Sequence, residues 1–441
     1  MNESMLEKIR QAGVVGAGGA GFPTHVKLKC DAEYVIVNCA ECEPLIKSDK
    51  YLMEQHGDVI VDGLCSAMEC VGAKHGVLAV KHKNKEAVKS LEAAISGKKN
   101  VEIHLLDNYY PAGDEQQIIY EVTKRTIPVG KLPIEAGCVV VNAQTAYHIA
   151  QAMMDKPVTG RNVTVTGAVR SPLTVNVPIG TAVPYLLELA GGVSIDNYVI
   201  VVGGPLMGRV ADDPGSEFVT KTTNGIIVLP ADHELIRKKT VSLDQEYKIA
   251  KSACCQCNYC TLICPRSSLG LGVQPHKVMQ ALTFNNADVL INGDAALGCC
   301  NCGLCTYVGC NMGLTPSRFI SKMRAELLAK KVKCSQDPQP VNLFRDDMKV
   351  STKRVVQRTG LSEYDVDVPY VDSYNKPGAV RIMLRQHIGA ACNPVVSEND
   401  TVVEGQCIGQ IPDKALGACV HASISGRVVN VSKDYIDIME A

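Results

Sequence analysis

Ten of the twenty cysteines of this 441-residue chain lie between Cys254 and Cys310, and their spacing carries the clearest chemistry in the sequence. The first run is Cys254-x2-Cys257-x2-Cys260-x3-Cys264-Pro265. Three thiolates at that spacing grip one [4Fe–4S] cubane from a tight loop, and the fourth, next to proline, reaches a second cluster. The second run is Cys299-x2-Cys302-x2-Cys305-x4-Cys310, with one extra residue before its last cysteine and Asn311 in place of the proline. A loop can absorb one residue, so ligation survives. Exchange of the fourth ligands predicts Cys254, Cys257, Cys260 and Cys310 on one cluster and Cys299, Cys302, Cys305 and Cys264 on the other. Cys255 and Cys300 would break the two-residue spacing and are read as neighbours of the ligands. Paired Cys-x2-Cys motifs can hold zinc, but two triple runs suit isolated tetrahedral sites poorly. The other ten cysteines are scattered and are read as small buried hydrophobes.

A second motif is Gly16-Ala17-Gly18-Gly19-Ala20-Gly21, which fits G-x-G-x-x-G, with Glu41 twenty residues further on. A dinucleotide fingerprint of that kind follows a buried strand. Residues 1–15 are instead short, charged and helical in pattern, and Pro23 interrupts the run where the following helix should settle. Consecutive unhindered backbone N–H groups over residues 16–24 suit a phosphate or the edge of a flavin ring. Lys27 can place a positive charge beside it, and Asn38 ends a strand, where ligands of α/β sheets are held.

These side chains need a scaffold that the hydrophobic pattern supplies. Residues 34–38, 76–80, 101–106 and 138–142 are short β-branched runs separated by helical patterns over 51–73 and 85–96, with a further helix over 146–154. That alternation predicts a largely parallel α/β sheet over residues 1–157. From residue 158 to 231 the pattern becomes a small α+β unit, with period-two alternation at 162–167, a short helix at 182–189 and a strand from Tyr198. A charged segment, 232–251, leads into the cysteine block, taken as a domain over 245–332 that ends in a helix from Pro316. Residues 335–339 read as a linker, and 378–441 as an all-β module. The formal net charge of −1 argues against a nucleic-acid partner. No stretch approaches about 20 apolar residues, so none predicts a transmembrane segment, and the charged N-terminus does not read as a secretion signal. A cytoplasmic chain is expected.

The glycine run continued to Lys27, followed by Asn38-Cys-Ala-Glu41-Cys-Glu43-Pro44, resembles the FMN/NADH-binding subunit of respiratory complex I and, more closely, the RnfC family. Tyr110-Pro-Ala-Gly-Asp-Glu-Gln-Gln117 and Asn142-Ala-Gln-Thr145 fit the later motifs of the same family. The resemblance implies FMN contacts from Gly16, Gly18, Lys27, Asn38, Glu41, Gly113, Asp114, Glu115, Asn142 and Thr145, with Phe22 and Glu43 facing NADH. Ala40 stands where complex I has an aspartate, so one flavin contact is absent or replaced by Glu41. Asp114 shortens the family's second carboxylate motif. The resemblance further implies a β-grasp (SLBB) fold for the α+β unit and a ferredoxin-like fold for the dicluster block. The C-terminal module resembles a barrel-sandwich of the biotinyl/lipoyl type, carried by residues 385–389, 404–406 and 421–426. Ser423-Ile-Ser425 has no lysine, so the hairpin cannot carry a lipoyl or biotinyl group. His387 and His421 are read as hydrogen-bonded side chains sooner than as metal ligands.

In the RnfC family the sandwich precedes the flavin domain; here it follows the clusters. That order, with the doublets Cys254-Cys255 and Cys299-Cys300, is similar to the cobalamin reductase family of propanediol-utilisation microcompartments. The resemblance implies an NADH-dependent oxidoreductase with FMN and two [4Fe–4S] clusters that reduces a corrinoid. Its partners would be NADH, the corrinoid and a redox partner protein such as an adenosyltransferase. Such a chain is cytoplasmic and could enter a bacterial microcompartment. The alternatives are a soluble Rnf-like adaptor delivering electrons to a protein, and a metal-stapled scaffold without redox turnover.

Overall fold

A computed structural model describes residues 2–284, 293–334 and 339–440. The N-terminal unit is built on a four-stranded parallel sheet in the order Val101–Leu106, His75–Lys81, Tyr34–Cys39 and Cys138–Asn142. Three of its strands are near-continuous apolar runs because helices cover both faces, while the edge strand Val101–Leu106 is largely open. In the register of the two last strands Asn38 pairs with Asn142. The two asparagines thus stand side by side at the carboxyl edge, where the sheet opens to a ligand. The helices Gly57–Val71 and Ala143–Met153 cross in close contact, since a Cβ on Gly63 would meet the Ala146 carbonyl at 1.8 Å.

The continuous helix expected over 51–73 is two helices, Ser48–Gln55 and Gly57–Val71, broken at His56. The first helix starts at a tertiary cap. Glu41 accepts hydrogen bonds from the Asp49 and Lys50 amides (2.6 and 3.1 Å), drawing the first helix's N-terminus toward the carboxyl edge. The glycine run follows a helix, Glu3–Gln11, and precedes a single turn, Thr24–Lys27, so it is not a strand–loop–helix fingerprint.

The α+β unit is a six-stranded mixed sheet packed against the helix Val183–Leu189. Gly225–Pro230, not foreseen as a strand, lies inside that sheet, parallel to Gly160–Gly167 and antiparallel to Tyr198–Val202. Tyr370–Val371, far along the chain, adds an edge strand to Leu173–Pro178. The charged segment forms two helices, Glu234–Thr240 and Leu243–Ala253. Ser242 caps the second through the Gln245 amide at 3.1 Å. The cysteine block is a set of short turns closed by Pro275–Phe284 and Pro316–Ala329. Of the linker read at 335–339, residues 335–338 lie outside the described residues. No described helix is long and apolar enough to cross a membrane.

The C-terminal module stacks a four-stranded and a three-stranded antiparallel sheet around one apolar core. It leans on the glycine run: the Ile388 amide donates to the Ala20 carbonyl (3.0 Å), and a Cβ on Gly21 (φ +77°) would meet His387 Cα at 2.9 Å. Three modules meet at the buried Lys221, whose ammonium donates to the Gly13 and Cys419 carbonyls (2.7 and 2.6 Å). His387 Nε2 accepts from the Ala418 amide at 3.0 Å.

Candidate redox site

A cavity of about 420 Å³ opens above the carboxyl edge of the parallel sheet, and all twelve residues expected at the flavin and the nicotinamide line it. Many of their side chains act on the protein itself. Asn38 donates to the Gly113 carbonyl (2.8 Å) and accepts from the Ala40 amide (3.1 Å). Asn142 caps its own helix through the Gln144 amide (2.9 Å) and donates to Asp49 (2.6 Å). Thr145 accepts from the Ala17 amide (2.9 Å), fixing the glycine run, and the buried Arg161 holds the Ala17 carbonyl from the other side (3.1 Å). Lys27 and Glu115 form an ion pair at 2.9 Å, half-exposed at the mouth. Phe22 is 40% exposed beside them.

What remains unpaired points to a polar ligand. The amides of Gly18, Gly19 and Ala20 donate to no protein acceptor among the described residues. Thr24 Oγ1 and Asp49 Oδ1 belong to residues that line the cavity, are buried and lack a protein partner among the described residues. A run of free amides with an adjacent lysine suits a flavin phosphate or ring edge, and a buried polar atom without a partner is costly unless a ligand completes it. A Cβ on Gly18 would press on the Asn142 side chain at 3.1 Å, so a larger residue there would push Asn142 aside. Glu41 is pushed up to about 8, first by burial and then by the nearby Asp49 carboxylate.

The inner wall of the cavity is contributed by the cysteine block, since Cys300 and Cys302 line it. Tyr110 bridges the two modules. Its hydroxyl lies 2.9 Å from Glu43 Oε1 and 2.8 Å from the Cys302 carbonyl. One hydroxyl proton cannot serve two acceptors. Burial raises Glu43 above the usual carboxylate range, and a protonated Glu43 donating to Tyr110 satisfies both contacts. Its other oxygen accepts from the Leu206 amide at 2.8 Å, tying in the β-grasp hairpin. Asp114 lines the cavity but its carboxylate is held bidentately by Arg266 (2.8 and 2.6 Å), two residues beyond Cys264.

The cysteines fall into two groups in space. Cys254, Cys257, Cys260 and Cys310 line one small cavity. Cys260 is pushed up to about 12, by burial first and then by Cys310, Cys257 and Cys254. Cys264 is likewise raised to about 12, by burial and then by Cys299 and Cys300, and Cys305 feels Cys299 and Cys264. Cys300 is lowered by its neighbour Cys302, which is raised in turn. Among the described residues no three His, Cys, Asp or Glu converge as a single metal ion requires. Thiols standing around a space, mutually repelling when ionised, fit the corners of a cationic iron–sulfur core. Sulfur acceptors are already served: Gln256 donates to Cys254 (3.1 Å), Leu314 N to Cys310 (3.3 Å) and Asn301 N to Cys299 (3.4 Å).

Family models match the chain along its length. Residues 9–151 match the Nuo51 FMN-binding domain, 162–210 the SLBB domain, 253–315 a 4Fe-4S dicluster domain and 367–440 the RnfC barrel sandwich hybrid domain. The chain is 39% identical to the cobalamin reductase PduS of Salmonella typhimurium, over 99% of this chain and 96% of the relative. The chain belongs to the PduS cobalamin reductase family. The Citrobacter freundii PduS is 37% identical over the same shares. A component of the Na(+)-translocating ferredoxin:NAD(+) oxidoreductase complex of Acetobacterium woodii is 35% identical over 60% of this chain and 58% of its own length. Membership in the PduS family, with these domains, makes the chain a flavin- and iron–sulfur-containing oxidoreductase. The sequence did not single out Asp49, Arg161 and Arg266, and Tyr110 stood there only as part of a motif. Each works through a partner distant in sequence, such as Asp114 for Arg266, 152 positions away.

Proposed function

We propose that the chain carries electrons from NADH through FMN and two [4Fe–4S] clusters to the cobalt of a corrinoid. Bound FMN takes hydride as an electron pair and releases single electrons, which an iron–sulfur centre can accept. The observation that carries the reading is the shared wall: Cys300 and Cys302 line the cavity that holds the flavin candidates. The group Cys264, Cys299, Cys302 and Cys305 is then the inner site, and Cys254, Cys257, Cys260 and Cys310 the outer one, where Cys257 is exposed.

The protein's part is positioning. Gly16 and Gly18 let the backbone approach the flavin, Asn38, Asn142 and Thr145 hold its walls in register, and Glu41 caps the helix whose Asp49 faces it. Lys27 and Glu115 flank the mouth, and Phe22 offers an exposed ring on which a nicotinamide can stack. Gly113 and Asp114 form the opposite lip, with Asp114 anchored to Arg266. Glu43 keeps the hairpin of the β-grasp unit against the inner cysteine loop. Arg266 neutralises negative charge that arrives at Cys264 and Cys299.

The test is anaerobically purified protein, assayed for flavin, iron and acid-labile sulfide and then treated with NADH. Flavin bleaching with one FMN and about eight irons per chain, the content of two cubanes, supports the donor and the cluster count. Cobalamin reduction by the protein alone supports the acceptor. Bleaching without cobalamin turnover would favour a redox adaptor that hands electrons to a protein, and zinc in place of iron would end the reading.

A further inference from the structure

A second groove lies on the far side of the inner cysteine loop. Its volume is about 510 Å³, and it is bounded by the hairpin residues Leu206 and Met207, the end of helix Glu234–Thr240, the loop at Asn301 and Gly303, and the first turns of helix Pro316–Ala329. Four cations line it, Lys238, Lys239, Arg318 and Lys322, beside the hydroxyls of Ser317 and Ser321, and its lining contains no carboxylate.

The structure fixes two of these cations, pairs Lys238 loosely and leaves Lys322 unpaired among the described residues. Lys239 donates to the Leu206 and Gly208 carbonyls (2.9 and 2.7 Å), and Arg318 donates to the Val241 carbonyl. Lys238 is buried, and only the exposed Glu234 approaches it, at 3.7 Å. Lys322 is exposed, with no ion pair among the described residues. The whole chain has a net charge of −1, so this concentration is local and not part of a cationic surface. Like charges gathered in a concave, partly buried site repel one another and raise the local concentration of anions.

The groove also touches the electron path. Met207 lines both it and the flavin cavity. Asn301 faces it, donates its amide to Cys299 Sγ at 3.4 Å and receives a hydrogen bond from Ser321 at 3.0 Å. A molecule bound here lies against the loop of the inner site. We infer that this groove binds the phosphate-bearing part of a redox reactant, a diphosphate or phosphodiester held by Lys238 and Lys322. Two reactants of the proposed reaction carry such a group: the diphosphate of a dinucleotide and the phosphodiester in the nucleotide loop of a complete corrinoid. The inference rests on that proposed function.

Titration calorimetry of the full chain, loaded with FMN and iron–sulfur, uses inorganic pyrophosphate as the probe. Saturable binding is expected, weakened about tenfold by Lys322→Glu and further by Lys238→Glu with Lys322→Glu, since each removes a charge-assisted contact. Lys322 is exposed and unpaired, so its substitution leaves the fold intact, and an unchanged cluster spectrum checks that. Displacement of pyrophosphate by ADP-ribose supports the dinucleotide as the source. Displacement by cobalamin but not by cobinamide, which lacks the nucleotide loop, supports the corrinoid. Equal pyrophosphate affinity in the unsubstituted and Lys322→Glu proteins, or no displacement by either reactant, overturns the inference. Flavin bleaching by NADH in the unsubstituted protein tests the underlying function separately.

Discussion

The two cysteine sites come from nearly the same spacing and end in opposite surroundings. Cys264, Cys302 and Cys305 are each 8% exposed and stand behind the flavin cavity, with Arg266 paired to Asp114 beside them. In the outer site Cys260 is as deeply buried, but Cys257 is exposed, Cys254 and Cys310 are half-buried like the inner Cys299, and the adjoining Leu262 and Met312 are open to solvent. Every electron taken up adds a negative charge, which burial disfavours and water or a nearby cation favours. The inner site thus relies on nearby guanidinium groups, Arg266 and then Arg324 at Cys299, for what solvent supplies at the outer site. Spacing sets what a cysteine run can ligate; the packing around it sets which direction electrons move.

Removing one site at a time breaks the comparison most severely. Cys302→Ala should abolish acceptor reduction while NADH still bleaches the flavin. Cys257→Ala should leave both the bleaching and the first electron's departure from the flavin, seen by stopped-flow spectroscopy, and stop turnover only at the exit. If the two variants block at the same step, the inner–outer order is wrong. Arg266→Met comes next. It leaves Asp114 buried without its partner, which should cost about 3–5 kcal/mol in chemical denaturation. In redox titrations it should lower the potential of the inner site and leave the outer one in place.

Glu43→Gln sharpens the contrast through pH. Glu43 is raised by burial, so the folded chain holds a proton that the unfolded chain loses above the ordinary glutamate value of about 4.3. Stability contributed there is complete at lower pH and falls as pH rises through the raised value. A glutamine can donate to Tyr110 and accept from Leu206 at every pH, so the variant's melting temperature should lose that part of its decline. The smallest effect expected is at the mouth. Phe22→Ala removes a stacking surface worth about 0.5–1.5 kcal/mol, and should raise the NADH concentration for half-maximal bleaching by at most about tenfold, with flavin content unchanged.

The sequence was most legible where chemistry is local. Three cysteines of each group lie within seven residues, so spacing alone gathers them, and the structure sets Cys310 beside the first group and Cys264 near Cys299. Asn38 and Asn142 could be expected at one edge because each ends a β-branched run, and parallel pairing brought them level. The start at Ser48 was not readable, since a carboxylate seven residues earlier caps that helix through the Asp49 amide. Gly225–Pro230 and Tyr370–Val371 are strands only because the β-grasp sheet offers them neighbours. Nothing near Asp114 or Arg266 announces their pairing, and Lys221 is buried by carbonyls from two other modules.

The position of Cys300 and Cys302 in the wall of the flavin cavity has a consequence for biogenesis. Iron and sulfide that fill those loops brace one wall of the flavin cavity. Loading of the two cofactors is then coupled, and polypeptide from cells short of iron should hold FMN more weakly than the complete protein.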